Sequence, residues 1–428
     1  MKKIIPFAAL LAMAMLPAQA SAVQFGFGGD VSTRLRVQTY DVDHQFADDV
    51  MWQYRVTLNG SAQMGDGFYA RVQLANEAPN RLDRNKGAKS EFGAAGTVAI
   101  GGGGGWQTVG YGNTEFSSLG FNNAYFGRIY GDSHYAIGRI PLNSFDNPVY
   151  DLTLFPRNPI ELPVATFLND RMFAANYGTK VGAGELNLTF GVVDNIVGND
   201  TGSTGDGLLN DGYLLMASYR AEFAGVTVEP TVLTAITKMD SFTQETFKAS
   251  GSTSGTGNNL NNKYRMPFHQ GVRPVTFGAN LSGPVGGVKL GAGAWYSIAK
   301  GTTPSSGVYN NSVVLDDDGM PYGLDNRNAS VDLTAYFTRV KFEYGPVLLW
   351  WDHNVTTDRS KLASEAVAVK QTYTNNLAWA QYQYHAYEDK EVKLTLQPTL
   401  RFMVTKDEVD PTYNHSRLRL ELWAVAAF

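Results

Sequence analysis

The sequence predicts an all-β chain closed into a transmembrane antiparallel β-barrel of about 16 strands, with short periplasmic turns and long extracellular loops. Three observations predict it. Polar and apolar residues alternate in segment after segment, and the connections between those segments alternate between short and long. After residue 22, no apolar stretch approaches the roughly 18 residues that a membrane helix needs.

The first 22 residues read as a cleavable signal peptide rather than as part of the fold. Lys2 and Lys3 form a positive start, 4–16 is apolar, and Ala20, Ser21 and Ala22 supply the small residues a signal peptidase reads. Residues 23–428 are then the expected barrel, and without the two lysines the formal charge moves from -5 to -7. That mild acidity gives no support for a nucleic-acid partner. The chain has no cysteine, so neither disulfides nor thiolate chemistry enter. It holds 45 Gly, 23 Phe, 22 Tyr and 7 Trp, at a mean hydropathy of -0.21. An exported chain of this kind, lacking helical spans, suits the closed barrel, which satisfies every backbone polar group in lipid.

The period of two is clearest at the two ends. Asp30, Ser32, Arg34, Arg36 and Gln38 alternate with Val31, Thr33, Leu35 and Val37. Gln53, Arg55, Thr57 and Asn59 alternate with Trp52, Tyr54, Val56 and Leu58, and Tyr69, Arg71 and Gln73 with Phe68, Ala70, Val72 and Leu74. At the far end His415, Arg417, Arg419, Glu421 and Trp423 alternate with Ser416, Leu418, Leu420, Leu422 and Ala424, and the chain ends on Phe428. Lipid outside and water inside is the simplest cause of this repeated polarity.

Strands are expected near 24–41, 50–63, 67–76, 120–130, 133–140, 170–179, 185–194, 211–223, 226–237, 270–282, 287–299, 328–340, 341–352, 371–386, 390–404 and 412–428, with 14 or 18 strands also open. No turn is recognised between 328–340 and 341–352. Short links fall at 64–67, 131–132, 180–184, 224–225, 283–286 and 389. Long ones fall at 42–49, 77–119, 141–169, 195–210, 238–269, 300–327, 353–370 and 405–411. Strict alternation with an even strand number puts all short turns at one end. The glycines at 101–105 lack the lysine and Ser/Thr of a phosphate loop. Asp316, Asp317 and Asp318 read as a solvated acidic turn in preference to a cation site, and no cofactor or metal is expected.

Closure brings the last strand beside the first. Arg34, Arg36, Arg55, Arg71, Lys393, Arg401, Arg417 and Arg419 then share the inner face of five neighbouring strands as one basic wall. Such a wall biases a narrow aqueous passage toward anions; its arginines could instead pair with Asp30 and Glu421. Residues 141–169 carry Pro141, Pro148, Pro156, Pro159 and Pro163, which oppose β pairing, together with Asp146, Asp151 and Glu161. A loop of that composition can fold inward and set the bore, or pack on the rim. Trp52, Tyr54, Tyr382, Tyr384 and Trp350 fit interfacial girdle or outer-face positions.

With these features the sequence resembles the trimeric general diffusion porins of the Gram-negative outer membrane. The resemblance implies a water-filled channel for passive diffusion of small hydrophilic solutes and ions, a homotrimer, and a surround of outer-membrane lipid and lipopolysaccharide. It also implies a constriction loop at 141–169, with Asp146, Asp151 and Glu161 facing the basic wall, and recognition of the Phe428 end by the barrel-insertion machinery. The Pro-Glu-Phe-Gly-Gly motif of enterobacterial members is replaced by Pro141-Leu142-Asn143-Ser144-Phe145-Asp146-Asn147-Pro148.

Three other readings stand beside it. A substrate-specific channel would line its lumen with an aromatic slide or a saturable basic site. A plugged structural or adhesin barrel would pass nothing. An enzyme fares worst, because the six histidines are scattered and no nucleophile elbow or zinc helix accompanies them. An energised, TonB-coupled transporter would need a plug domain before the first strand, and Val23 leads almost directly into that strand.

Overall fold

The computed structural model describes residues 23–42, 45–76, 107–108, 119–141, 171–194, 212–235, 275–302, 328–359, 361–362, 370–408 and 414–428. The signal-peptide expectation, the loop acids Asp146, Asp151 and Glu161, the glycines 101–105 and the aspartates 316–318 lie outside them.

Sixteen antiparallel strands close into a barrel. They are β1 (Gln24–Val42), β2 (Gln45–Gln63), β3 (Phe68–Ala75), β4 (Gly120–Tyr130), β5 (Ser133–Pro141) and β6 (Arg171–Val181). Then come β7 (Gly184–Asp194), β8 (Gly212–Phe223), β9 (Val226–Ala235), β10 (Val275–Val285) and β11 (Val288–Thr302). The last are β12 (Asn328–Tyr344), β13 (Val347–Asp358), β14 (Gln371–Tyr382 continued as Tyr384–Glu388), β15 (Lys393–Asp407) and β16 (His415–Ala427). Two further two-residue pieces, Gln107–Thr108 and Lys361–Leu362, pair with β2 and β12.

Each strand pairs with its neighbours in sequence, and β16 returns to β1 in register from Asp30↔Ala427 to Val42↔His415. Gly29 and Phe428 exchange backbone hydrogen bonds of 2.8 and 3.0 Å at the seam. Closure of this kind leaves no open edge along the paired length.

The outer face is apolar and exposed, as lipid contact requires: Val37, Trp52, Leu58, Phe126, Phe402 and Leu422 all point away from the interior. At the turn end this face carries exposed aromatics, among them Phe68, Tyr130, Tyr344, Tyr382 and Tyr384. There the Arg128 guanidinium lies 4.6 Å from the Phe68 ring centroid and its Nε donates to the Asp66 carbonyl.

Three expectations about the elements are corrected. The strands expected at 328–340 and 341–352 run further, and their hairpin turns at Gly345 and Pro346. Gly345 has φ of 52°, a left-handed conformation that glycine takes without a Cβ penalty. The first connection is not a loop over 42–49: β1 and β2 are each 19 residues long and pair as far as Val42↔Gln45. Finally, β14 is broken at Gln383. The pairing with β15 stops after Gln381↔Thr399, just before Pro398, which has no N–H to give the ladder; it resumes in the same register at Tyr384↔Leu396 and shifts between His385 and Tyr387.

The closing turn between β14 and β15 is built on Asp389. Its Oδ1 accepts from the backbone N–H groups of Glu391 at 2.8 Å and Val392 at 2.7 Å. Those donors hold the Asp389 carboxyl below its ordinary pKa.

Candidate functional site

The alternation that defines β1, β2, β15 and β16 points one polar side chain inward at every second position, and closure stacks these into rungs. One rung sets Arg34 against Trp423 and Gln53, the next sets Arg36 against Glu421 and Met51, and the next sets Gln38 against Arg419, itself opposite Arg401. Arg34, Arg36, Arg401, Arg419 and Glu421 are all buried.

Glu421 is the hub. Its Oε1 takes Arg36 Nε at 2.5 Å, with Arg34 Nη1 at 3.8 Å, while its Oε2 takes Arg401 Nη2 at 2.6 Å and Trp423 Nε1 at 2.8 Å. Gln53 and Gln38 accept from Arg34 Nε at 2.6 Å and Arg419 Nε at 3.1 Å. A carboxylate buried among several donors keeps its charge only because those donors replace its hydration.

The eight predicted cations are therefore not equivalent. Arg34, Arg36, Arg401 and Arg419 form one buried cluster. Half-buried Arg417 stands on the adjacent rung opposite Met403. Arg55 is drawn aside to Asp30, at 3.2 Å, where Ser32 also donates to the carboxylate. Arg71 is exposed and lies 5.6 Å from the Tyr69 ring centroid. Lys393 is set apart from the wall: it sits beside the turn at Asp389 and pairs with Glu388 at 3.3 Å, its side chain 43% exposed. Face assignment places a residue inside or outside but says nothing of its height along the barrel.

Aromatic residues continue the wall, and two of them, Trp350 and Trp379, are ones that alternation alone misses. Trp350, expected at a girdle or outer-face position, is inward and 3% exposed. It stacks on inward Trp379, centroids 4.6 Å apart and planes 2° from parallel, and Trp379 meets Trp423 edge-on at 6.0 Å. Arg401 lies 4.4 Å from the Trp379 centroid and 5.6 Å from that of Trp423, with Arg34 5.4 Å from the latter.

Beside this group Arg339 holds Asp352 through two charge-assisted bonds of 2.6 and 2.7 Å, and lies 5.4 Å from both the Phe337 and Trp350 centroids. Trp295 packs against Phe337 at 5.7 Å, over Gly293, where any Cβ would collide with its ring. The turn signal Gly345-Pro346 would have found these residues. It fixes the register of β12 on β13 and so turns Arg339, Lys341, Trp350 and Asp352 inward.

The wall thus concentrates buried cationic N–H donors and indole rings on one arc of the inner face. Among the described residues, no group of three or more His, Asp or Glu side chains is placed to hold a metal ion.

No family model and no curated protein sequence matches the chain. Solved structures with similar folds include the outer-membrane protein OmpT of Vibrio cholerae folded in vitro, at 10% identity and a TM-score of 0.49, covering 96% of this chain and 99% of that one. An anion-selective porin from Comamonas acidovorans gives 12% identity and a TM-score of 0.49 over 95% of this chain and 100% of that one. OmpF of Salmonella typhi in complex with daunomycin gives 10% and 0.46 over 93% and 97%.

Proposed function

We propose that this chain is a porin: a water-filled channel for passive diffusion of small hydrophilic solutes and ions across the outer membrane. The observation that carries this reading is a closed barrel whose outer face is apolar and whose inner face holds the buried Arg34–Arg36–Arg401–Arg419 cluster. Charged side chains on an inner wall serve a polar content, whereas a barrel filled only for stability would favour apolar packing.

On this reading Arg34, Arg36, Arg55, Arg71, Arg401, Arg417 and Arg419 line the passage, and Asp146, Asp151 and Glu161 narrow it from 141–169. The same reading includes export by cleavage after residue 22, lipopolysaccharide around the barrel, insertion through the Phe428 end, assembly as a homotrimer, and no catalytic activity.

The test is planar-bilayer recording of the purified protein under a salt gradient. Stable conductance steps with a reversal potential on the anion side are the expected result. Closure in threes would add the trimer, and a protein that inserts without giving steps would make this a plugged barrel.

A further inference from the structure

A single rung crosses five strands of the wall: Lys341 on β12, Trp350 on β13, Trp379 on β14, Arg401 on β15 and Arg419 on β16 are successive cross-strand partners. Trp379 is flanked from β13 by the stacked Trp350 ring and from β15 by the Arg401 guanidinium. Trp423 carries Arg34 and Arg401 close to its ring. With these ring faces occupied, the wall is poorly suited to the stacking by which aromatic slides hold sugars. What it offers instead is donors.

Arg401 is 2% exposed and spends Nη2 on Glu421, yet among the described residues its Nε and Nη1 have no hydrogen-bond partner. Trp379 is 3% exposed, and its Nε1 likewise has none among the described residues. Buried N–H groups without an acceptor carry a standing energetic cost that an acceptor removes. Three guanidiniums, those of Arg34, Arg36 and Arg401, already share the single Glu421 carboxylate, so the local field favours an anion as that acceptor.

We propose that the Trp379–Arg401 step is a saturable binding site for a small oxyanion, the carboxylate or phosphate group of a solute, held by the free N–H groups of Arg401 and the indole N–H of Trp379. The proposal rests on the channel reading only for the solute's route to the rung. It makes the wall selective by chemistry, beyond a general bias toward negative charge. Planar guanidinium suits oxyanions, whose oxygens accept parallel N–H bonds, better than it suits chloride.

Calorimetric titration of the detergent-folded full chain with inorganic phosphate, and separately with acetate, tests this at low chloride. Saturable binding of either is expected, with no saturable heat from glucose. Arg401→Lys keeps the charge but loses the planar donors, and is expected to weaken binding about tenfold or more. Trp379→Phe keeps an aromatic ring and loses the N–H, and is expected to weaken it several-fold; it carries the test if the arginine variant fails to fold.

Absence of saturable binding, or equal binding by wild type and both variants, overturns the proposal. The same samples in planar bilayers separate the two readings. Conductance without saturable binding of either phosphate or acetate overturns the site and leaves the channel. Binding without conductance leaves the site and overturns the channel.

Discussion

Replacing Glu421 by Gln removes one negative charge from the centre of the wall while keeping its volume. In the native barrel that carboxylate meets Arg36 at 2.5 Å and Arg401 at 2.6 Å, with Arg34 at 3.8 Å, and its side chain is fully buried. Two unit charges about 4 Å apart interact by about 4 kcal/mol at an effective dielectric of about 20. The three contacts do not add, because the guanidiniums repel one another and share one desolvated acceptor. Deleting one partner of a buried charged group costs about 3–5 kcal/mol, and that is the loss expected for Glu421→Gln. Equilibrium unfolding in urea from detergent micelles, followed by tryptophan fluorescence, measures it. Adding Arg36→Gln to the same chain should recover part of the loss, since one unmatched cation is then gone. If Glu421→Gln lies within about 0.5 kcal/mol of wild type, the hub does not hold the wall together and the electrostatic account is wrong.

Three further outcomes follow from the same geometry. In a double-mutant cycle of Trp350→Leu and Trp379→Leu, the parallel stack should appear as a coupling of about 0.5–1.5 kcal/mol, and additive losses would refute it. At Gly293 an added Cβ would stand 2.0 Å from the Trp295 ring, so Gly293→Ala should cost about 1–3 kcal/mol in the same assay, much less in a Trp295→Leu background. The Asp389 carboxylate, whose pKa is depressed by the Glu391 and Val392 amides, should support its turn fully above the unfolded carboxylate pKa of about 3.9 and lose that support as pH falls through its lower folded value. Hydrogen exchange at the Val392 amide should therefore stay slow, after correction for intrinsic rates, down to about pH 4. In Asp389→Ala it should be fast throughout, and equal protection in the two proteins would refute the turn's dependence on the carboxylate.

Where one face of a strand meets lipid and the other meets polar groups, the sequence carries the structure openly. Arg34, Arg36 and Gln38 against Val31, Leu35 and Val37 need no more than a period of two, and the same holds for Arg417, Arg419 and Glu421 against Leu418, Leu420 and Leu422. The reading fails at 347–351, Val-Leu-Leu-Trp-Trp, because both faces there are apolar and alternation vanishes. Periodicity cannot then say which tryptophan is inside; register can, and register hangs on the Gly345-Pro346 turn. Lys393 shows a second limit. It keeps the right parity for the inner face, but parity holds no information about height, and Glu388 in the adjacent hairpin claims it. The pairings of the wall were open on the sequence for a third reason: Arg36 and Glu421 lie 385 residues apart, and only closure makes them neighbours.

Closure also explains why aromatic rings stand inside a barrel whose inner face is otherwise polar. Guanidinium is weakly hydrated for a cation, and it sheds water more readily when one face lies on an indole. Arg401 between Trp379 and Trp423, and Arg339 beside Trp350 and Phe337, use this arrangement at two places on the same arc of wall. The two sites differ in what completes them. Arg339 has Asp352 through both its Nε and Nη2. Arg401 shares Glu421 with two other guanidiniums and, among the described residues, has no acceptor for its Nε and Nη1. The first is a brace that stiffens β12 against β13. The second has the same framework with donors to spare, and a framework held rigid by its neighbours is what lets spare donors discriminate between anions instead of relaxing onto the nearest carbonyl.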